Sequence, residues 1–405
     1  MNSTQKTLLG IFNAAIHNRR FRVTNESIHW NNIIEEADAH KIKALIYSAL
    51  NQDSKRQIDN RTLTLWRQDA FYRGLTQRNH LVKTSKVLAE FNKNGLQVIC
   101  LKGLVVRELY PTPEMRIMSD ADILVKNKAD LDKARKLIIG IGYEESGGTE
   151  EFRLFNSSGN PTFEIRITLC DSRYYKGDTS KWEKNLWNDA IKIKLYDVDT
   201  LSLSWEDLTI HLLLQMATYM INSGFGLRQL ADIILLVEKK GHEINWSSFR
   251  SKIKSCGLEK FTLTIFNLCN RHLNMELPKE VKCNSNDYNK YGDMMLEQIL
   301  NGGAYCNRDL SHIFANQIAI DSDDNIKKGD ITIRHKEIIF PKVEEMSYRY
   351  NYAKKYKVLK PIAYIHHLFA GLFRKEYKMK DKLNFITNGS NVASEKNELI
   401  KWLEI

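Results

Sequence analysis

Two aspartates separated by a single residue, Asp120 and Asp122, have the type and spacing that metal-dependent catalysis uses. They lie in Ile117–Val125, a short apolar segment that predicts a β-strand. Side chains two residues apart on a strand point to the same face, so the two carboxylates would lie about 6–7 Å apart. Neighbouring carboxylates repel each other unless one is protonated or a cation lies between them, and Mg²⁺ prefers such oxygen ligands. The motif therefore predicts a Mg²⁺ site, and its alternative interpretation is a solvated strand end.

A third carboxylate is needed if the site holds two metal ions. Glu164 is the candidate, because it lies in Thr162–Leu169, a segment that also predicts a strand. If this strand is the neighbour of the aspartate strand, the three acids meet at one place. The expected arrangement is then a two-metal centre.

A turn suited to phosphate binding precedes the aspartates. Lys102 and Gly103 stand between a predicted strand, Leu96–Leu101, and a predicted short helix, Leu104–Tyr110. Backbone N–H groups of such a turn can bind phosphate, and the lysine adds a positive charge. Arg116, at the start of the aspartate strand, could contact a phosphate or brace the first aspartate. These residues predict a site for the phosphates of a nucleotide.

The segment that positions these residues lies between two helical regions. The helical spacing of apolar residues predicts N-terminal helices at Lys6–Ile16, His29–Leu50 and Arg61–Asn94. The central segment also contains a predicted helix and a predicted strand, at Asp130–Gly140 and Glu151–Asn156. Later helices are predicted at Glu206–Met220, Leu227–Lys240, Trp246–Ser255 and Leu258–His272, and from Ser394 onward.

The expected fold class is α+β, with a small mixed β-sheet flanked by N-terminal and C-terminal helical regions. The predicted domains are an N-terminal helical region, an α/β core, a helical domain and a basic, mostly helical C-terminal region. Their expected bounds are residues 1–84, 85–200, 201–277 and 278–405. Residues 278–330 are polar and weakly patterned, so part of that segment is expected to be loop.

Composition excludes several classes of protein and of site. The 405 residues carry a net charge of +11, which suits phosphate-bearing partners but is common among soluble enzymes. The low glycine and proline contents exclude collagen-like and mostly disordered chains. The six cysteines contain no CxxC pair, which argues against a zinc ribbon. We expect no signal peptide, no transmembrane segment and a cytoplasmic location.

Several of these residues belong to a pattern that resembles a known family. The segment Leu101–Gly103, the motif Arg116-x-x-Ser119-Asp120-x-Asp122 and the helix that ends at Gly140–Tyr143 resemble the uncharacterised nucleotidyltransferases, a family of the DNA-polymerase-beta-like nucleotidyltransferase superfamily. Looser matches follow at Phe163–Arg166, Leu201–Leu208, His211, Leu227–Asp232, Ile244–Trp246, Phe340–Pro341 and Leu359–Pro361. The resemblance covers roughly residues 80–375.

The resemblance implies a Mg²⁺-dependent transfer of a nucleoside monophosphate from an NTP to a hydroxyl or phosphate of an unidentified acceptor, by two-metal in-line displacement. Asp120, Asp122 and Glu164 would be catalytic and would bind two Mg²⁺ ions, for which Mn²⁺ could substitute. The nucleotide-binding residues would be Lys102, Gly103, Arg116, Ser119, Arg166 and Arg228. The acceptor stays open between a small molecule, a saccharide, a protein and RNA.

Two positions depart from the family pattern. Arg166 stands where the family has a histidine, and Thr218 stands where a second histidine is common after His211. These departures support an alternative function, that of a catalytically inactive nucleotide- or RNA-binding protein on the same fold. His211 itself lies among apolar residues of a predicted helix, which favours a core histidine over a catalytic one.

Two further charged patterns have competing interpretations. Arg228 and Asp232 are four residues apart on a predicted helix, which is typical of a surface ion pair, although Arg228 could instead frame a nucleotide cleft. Residues 342–382 are basic and rich in tyrosine, and they contain the apolar stretch Pro361–Phe373. A packed helix with a solvated basic face is the favoured interpretation, ahead of a nucleic-acid face or a peripheral contact with a membrane surface.

Overall fold

A seven-stranded mixed sheet lies between N-terminal and C-terminal groups of helices. The computed structural model describes residues 1–23, 28–170, 175, 177–283, 285–304 and 394–405. The chain is therefore an α+β protein with helical regions on both sides of a mixed sheet, as the sequence predicts. The division into four domains stays a prediction.

Two neighbouring strands of the sheet carry the candidate acids. The strands are β1 Ile99–Cys100, β2 Asp120–Leu124, β3 Glu144–Gly148, β4 Phe152–Asn156, β5 Thr162–Arg166, β6 Ile191–Leu195 and β7 Val198–Ser202. They lie in the order β3-β4-β5-β2-β1-β7-β6. β2 pairs with β5 in parallel and with β1 antiparallel, while β1 pairs with β7 in parallel. The aspartate strand and the glutamate strand are thus direct neighbours.

Three of these strands, β3, β6 and β7, are absent from the sequence prediction. β3 has the sequence EESGG and is mostly exposed at one edge of the sheet. It therefore lacks the alternating apolar residues that predict a strand from sequence. β6 and β7 form a hairpin at the other edge, where Tyr196 turns the chain with a φ of 56°. The sequence IKIKL of β6 does alternate as a half-buried strand should, which is a signal that the sequence reasoning missed.

The described residues of the N-terminal region, 1–23 and 28–93, form five helices, α1 Ser3–Ile16, α2 Trp30–Ala39, α3 Lys43–Ala49, α4 Gln52–Arg56 and α5 Asn60–Lys93. The prediction of one helix over His29–Leu50 is wrong. The chain breaks between α2 and α3 because Lys41 has a φ of 58°, and the amide of Ile42 then donates to the carbonyl of Ala37. Apolar periodicity continues through the break, since Ile42 is itself buried in the core.

The 34-residue helix α5 begins after the N-cap residue Asp59 and agrees closely with the helix predicted at Arg61–Asn94. The Asp59 carboxylate accepts a hydrogen bond from the amide of Thr62 at 2.9 Å. Gly95 follows the helix with a φ of 65°, a conformation in which glycine is favoured. One face of the second half of α5 packs into the core through Leu81, Leu88 and Phe91.

One group of helices lies among the strands in the chain, and a second group follows the last strand. The first group is α6 Gly103–Val106, α7 Lys128–Gly140, α8 Ser180–Glu183 and α9 Leu186–Asp189. The second group is α10 Trp205–Asn222, α11 Leu227–Lys240, α12 Trp246–Ser255, α13 Glu259–Leu273, α14 Asn286–Gly302 and α15, residues 394–403. Short 3₁₀ turns lie at Arg107–Leu109, Pro113–Met115, Gly241–Glu243 and Lys279–Val281. Within the described ranges, no helix is long and apolar enough to cross a lipid bilayer.

Helix α14 lies in the polar segment for which no helix is predicted. Its buried face is a narrow apolar stripe that contains Met295, Leu296, Ile299 and Leu300, while the other face is polar. Because most of the helix surface is polar, the segment has a polar composition overall, and the helical spacing of its few apolar residues is not apparent in the sequence. The interpretation of the basic segment 342–382 as a packed helix stays a prediction, because the whole segment lies within residues 305–393, outside the described part of the chain.

Candidate active site

The side chains of Asp120, Asp122 and Glu164 meet on one face of the β2–β5 pair. Asp120 and Asp122 point to the same face of β2, while Ala121 and Ile123 between and after them are fully buried on the other face. In the parallel register, Asp122 lies opposite Glu164 of β5. One oxygen from each of the three carboxylates lies within 4.8 Å of the other two. The backbone alone therefore brings the three predicted acids together.

Helix α5 fixes the residues that lead into β2. The Gln77 side chain donates from Nε2 to the carbonyl of Met118 at 2.9 Å and accepts from the amide of Met118 at Oε1 at 3.1 Å. Both residues are buried, so these hydrogen bonds are shielded from water. The amide side chain thus pairs with the backbone as a neighbouring strand would, two residues before Asp120.

Two of the three acids are paired with cations. The Lys102 Nζ atom lies 2.7 Å from Oδ1 of Asp122, and both residues are buried. Arg166 pairs with Glu164, which stands two residues before it on the same face of β5. Asp120 receives a long hydrogen bond of 3.4 Å from the hydroxyl of Ser119, which is exposed. The site therefore contains carboxylates whose charge is already balanced by side chains of this chain.

A second buried ion pair fixes Arg116 beside the acids. The Arg116 guanidinium contacts Asp232 of α11 through Nη2 at 2.7 Å and through Nε at 3.2 Å. The Tyr110 hydroxyl donates to the same carboxylate at 2.7 Å. Burial alone would lower the pKa of Arg116, but the Asp232 carboxylate raises it above its usual range. The interpretation of Asp232 as half of a surface ion pair is wrong, because Asp232 is buried in this cluster.

The Lys102–Gly103 turn and Arg116 are in direct contact. A Cβ atom on Gly103 would overlap the Arg116 guanidinium, so a glycine is required for this close approach. The backbone of Lys102 has a φ of 46°, an uncommon conformation for a residue with a side chain. Arg228 lies nearby and donates from Nη1 to the carbonyl of Ile117 at 2.8 Å. Three cationic side chains are thereby held beside the aspartates.

Two clefts meet at the acids. The first cleft is lined by Lys102, Gly103, Arg116, Asp122, Arg228 and Asp232, together with side chains of α10. The second cleft has a volume of about 680 Å³ and is lined by Thr149, Glu151, Phe152, Glu164, Arg166 and Thr218, among others. Both clefts are lined by Lys102, Asp120, Gln215 and Tyr219. A phosphate in the first cleft and a nucleophile in the second could therefore approach the same carboxylates from two sides.

The comparison with known families agrees with this geometry. The profile of a family described as "uncharacterised nucleotidyltransferase" matches residues 26–274, which is more than half of the chain. The chain belongs to this family. A search of curated proteins finds no match. The match begins before residue 80, where the resemblance in the motifs begins, and it does not reach the matches suggested at residues 340–361.

The family match includes all three acids and the residues of both clefts, and general nucleotidyl transfer is the chemistry of the family to which the chain belongs. Three carboxylate oxygens within 4.8 Å of one another are the hard ligands that Mg²⁺ accepts. The donor set therefore fits a divalent cation. Of the predicted nucleotide-binding residues, Lys102, Gly103, Arg116 and Arg228 line the first cleft, Lys102 and Arg166 line the second, and Ser119 lines neither.

The two positions that depart from the family pattern lie at or near the second cleft. Thr218 lines this cleft, and its hydroxyl donates to the carbonyl of Leu214 at 2.9 Å. His211 is fully buried, as expected for a core histidine, but neither ring nitrogen has a hydrogen-bond partner. Burial, and then the charges of Lys102 and Arg166, hold the pKa of His211 well below its usual value. The ring is neutral at physiological pH.

Sequence reasoning missed Gln77, Tyr110, Gln215 and Tyr219. None of them stands in a motif, and their partners lie far away along the chain. Tyr110, for example, donates to a carboxylate 122 residues later. Only the spacing of Gln215 and Tyr219, one helical turn apart on the helix of His211, could have suggested that they share a face.

Proposed function

We propose that this protein is a Mg²⁺-dependent nucleotidyltransferase that moves a nucleoside monophosphate from an NTP to a hydroxyl or phosphate of an acceptor. The observation that carries the proposal is the position of three clustered carboxylates where two clefts meet. The first cleft, of about 40 Å³, has cationic side chains that suit a phosphate of the donor. The second cleft, of about 680 Å³, has room for the reacting part of an acceptor.

Each group of residues has a definite role in this reaction. Asp120, Asp122 and Glu164 would hold two Mg²⁺ ions, which when bound neutralise the charge on the transferred phosphoryl group and on the leaving pyrophosphate. Arg116 and Arg228 would bind and orient the donor phosphates in the first cleft. Glu164 lines the second cleft, so its carboxylate is placed to accept the proton of an acceptor hydroxyl. As the bond from the acceptor oxygen to the α-phosphorus forms, the bond to pyrophosphate breaks on the opposite side.

A second candidate function is that of a nucleotide- or RNA-binding protein without turnover. It is favoured by one specific contact, the ion pair between Arg166 and Glu164. An arginine on the third acid occupies a carboxylate that catalysis would use. Pyrophosphate release in the presence of Mg²⁺, each NTP and a panel of acceptors separates the two functions, because only the enzyme produces it.

Thermal unfolding with and without nucleotide tests the shared part of both proposals. With Mg²⁺ and the correct NTP at about 100 times its dissociation constant, the wild type should gain about 2.7 kcal/mol of stability. Asp122→Asn and Asp120→Asn should each lose the Mg²⁺-dependent part of this gain, since each removes a carboxylate charge from the metal site. Asp132→Asn, an exposed position on α7, is the matched control and should keep the whole gain. A wild-type melting curve that no NTP shifts in the presence of Mg²⁺ would overturn the proposed function.

A further inference from the structure

The ion pairs of the acids place two cationic side chains where a divalent cation would have to compete with them. Lys102 Nζ lies 2.7 Å from Asp122, and the two side chains are only 11% and 6% exposed. The side chains of Arg166 and Glu164 are 16% and 20% exposed. A divalent cation at the three acids would bind oxygens of the same carboxylates, so it would compete with Lys102 for Asp122 and with Arg166 for Glu164. The third acid, Asp120, is bonded by a neutral hydroxyl and does not have this obstacle.

Opening these pairs is costly when nothing replaces the lost partner. A buried charge that loses its counter-ion is strongly destabilising, because neither water nor another group compensates it. A free divalent cation would satisfy the carboxylates but would leave the Lys102 ammonium and the Arg166 guanidinium without an anion. Both cations would then lie beside the metal and repel it.

A polyphosphate removes this cost on the side of the first cleft. Lys102 lines that cleft as well as the second one, so its flexible side chain can leave Asp122 and still reach an anion bound there. The phosphates of a nucleotide are such an anion, and they bring the cation with them as a complex. The lysine then exchanges a carboxylate for a phosphate and remains paired throughout.

We propose that Lys102 and Arg166 are resident counter-ions of the three acids, and that they exclude a free divalent cation but yield the carboxylates to a cation that arrives with a polyphosphate. This inference rests on the proposed function and concerns the regulation of the same site. Metal and nucleotide then bind with positive coupling, in which each raises the affinity for the other by the same factor. Lys102 has the larger role in this coupling because Lys102, unlike Arg166, also lines the first cleft.

The test measures Mn²⁺ binding by the loss of its free electron paramagnetic resonance signal, with and without non-hydrolysable NTP analogues. The wild type should bind Mn²⁺ weakly alone and roughly ten-fold more tightly with the correct analogue. Lys102→Met, which keeps the length of the side chain and removes its charge, should bind Mn²⁺ alone roughly ten-fold more tightly than the wild type. Its gain on addition of the analogue should be smaller than the gain of the wild type.

Two other variants keep the test decisive. Arg166→Gln should also bind free Mn²⁺ more tightly, and it gives a result even if the Lys102 variant does not fold, as judged by circular dichroism. Lys290→Met, which removes an exposed ion pair with Glu398, should behave as the wild type does.

The outcomes separate this inference from the function on which it rests. If the wild type binds Mn²⁺ with an analogue and Asp122→Asn does not, while folded Lys102→Met and Arg166→Gln bind free Mn²⁺ no more tightly than the wild type, the counter-ion device is wrong and the proposed function stands. If no analogue changes Mn²⁺ binding to the wild type, both are wrong.

Discussion

The two clefts that meet at the acids are built in different ways. The walls of the first cleft are buried side chains tied to one another, of which the Arg116–Asp232 pair and the Lys102–Gly103 turn are the clearest. The second cleft is bounded by the turn between β3 and β4 at the edge of the sheet, where Glu151 is exposed. The first cleft therefore has a fixed shape, and its volume of about 40 Å³ suits a small, constant chemical group such as a phosphate. Exposed residues of the second cleft can be substituted at little cost to the stability of the fold. This suits the binding of the acceptor, which is the variable substrate of the reaction.

The largest expected effect of a substitution in either cleft is at Asp232. Asp232→Asn removes the anion that compensates the buried Arg116, and breaking such a pair costs about 3–5 kcal/mol. Urea unfolding measures the loss, and nucleotide affinity should fall with it because Arg116 is no longer held. Asp53→Asn breaks an exposed pair with Arg56 and serves as the control, with an effect of at most about 1 kcal/mol. Equal losses in the two variants would show that the first cleft is not rigid.

A smaller effect is expected where the turn touches the arginine. Gly103→Ala places a Cβ atom against the Arg116 guanidinium, which Asp232 holds in place. Crowding of this kind costs about 1–3 kcal/mol of folding free energy. Gly140→Ala is the control, because a Cβ atom there meets nothing within 4 Å. The two variants should differ in both stability and nucleotide affinity, and a Gly103 variant that matches its control would contradict the tight fit.

A pH-dependent effect is expected at His17, which contacts helix α11 through Glu238. Its ring contacts the Leu273 carbonyl through Nε2 at 2.9 Å and the Glu238 carboxylate through Nδ1 at 3.2 Å. The hydrogen bond with Glu238 raises the pKa of His17, against the opposing effect of burial. The stabilisation is therefore complete below the unfolded pKa of about 6.5 and is lost as pH rises through the raised native pKa.

Glu238 lies on α11, which also carries Arg228 and Asp232 of the first cleft. The titration of His17 therefore concerns a helix that contributes to this rigid cleft. His17→Gln should flatten the difference in melting temperature between acidic and alkaline buffers. If wild type and variant show the same pH dependence, the His17 contacts do not contribute to it.

The smallest effect on folding is expected in the second cleft. Glu151→Gln changes an exposed side chain, so stability should stay within about 0.5 kcal/mol of the wild type and NTP affinity should not change. Once an acceptor is identified, its KM is the quantity that should respond. A change in NTP affinity instead would mean that the two clefts do not divide donor and acceptor as proposed.

The sequence predicts the central part of this arrangement because that part depends on local rules. Alternation on a strand puts Asp120 and Asp122 on one face, and two short strands with a single helix and a hairpin between them are easily brought together. The fold class follows from the same periodicities. The roles assigned to the site residues stay predictions, since their positions agree with them but do not test them.

The rest of the site depends on pairs of residues that are far apart in the chain, for which local periodicity has no signal. Arg116 and Asp232 are separated by 116 residues, and Gln77 and Met118 by 41. Asp232 was misinterpreted for this reason, because its helical neighbour at i−4 offered a local partner while its buried partner was invisible. The helix break at Lys41 was missed because one residue with a positive φ does not interrupt the spacing of the apolar residues around it.

The contact between Gln77 and Met118 has a consequence for how this protein can vary. A side-chain amide that binds both main-chain atoms of a residue depends little on the side chain of that residue, so apolar residues other than proline, which has no N–H, can replace Met118 and keep both hydrogen bonds. Position 77 has no such freedom. Asparagine is too short to reach the backbone of Met118. A glutamate carboxylate has no donor for the Met118 carbonyl, and a lysine ammonium has no acceptor for the Met118 amide.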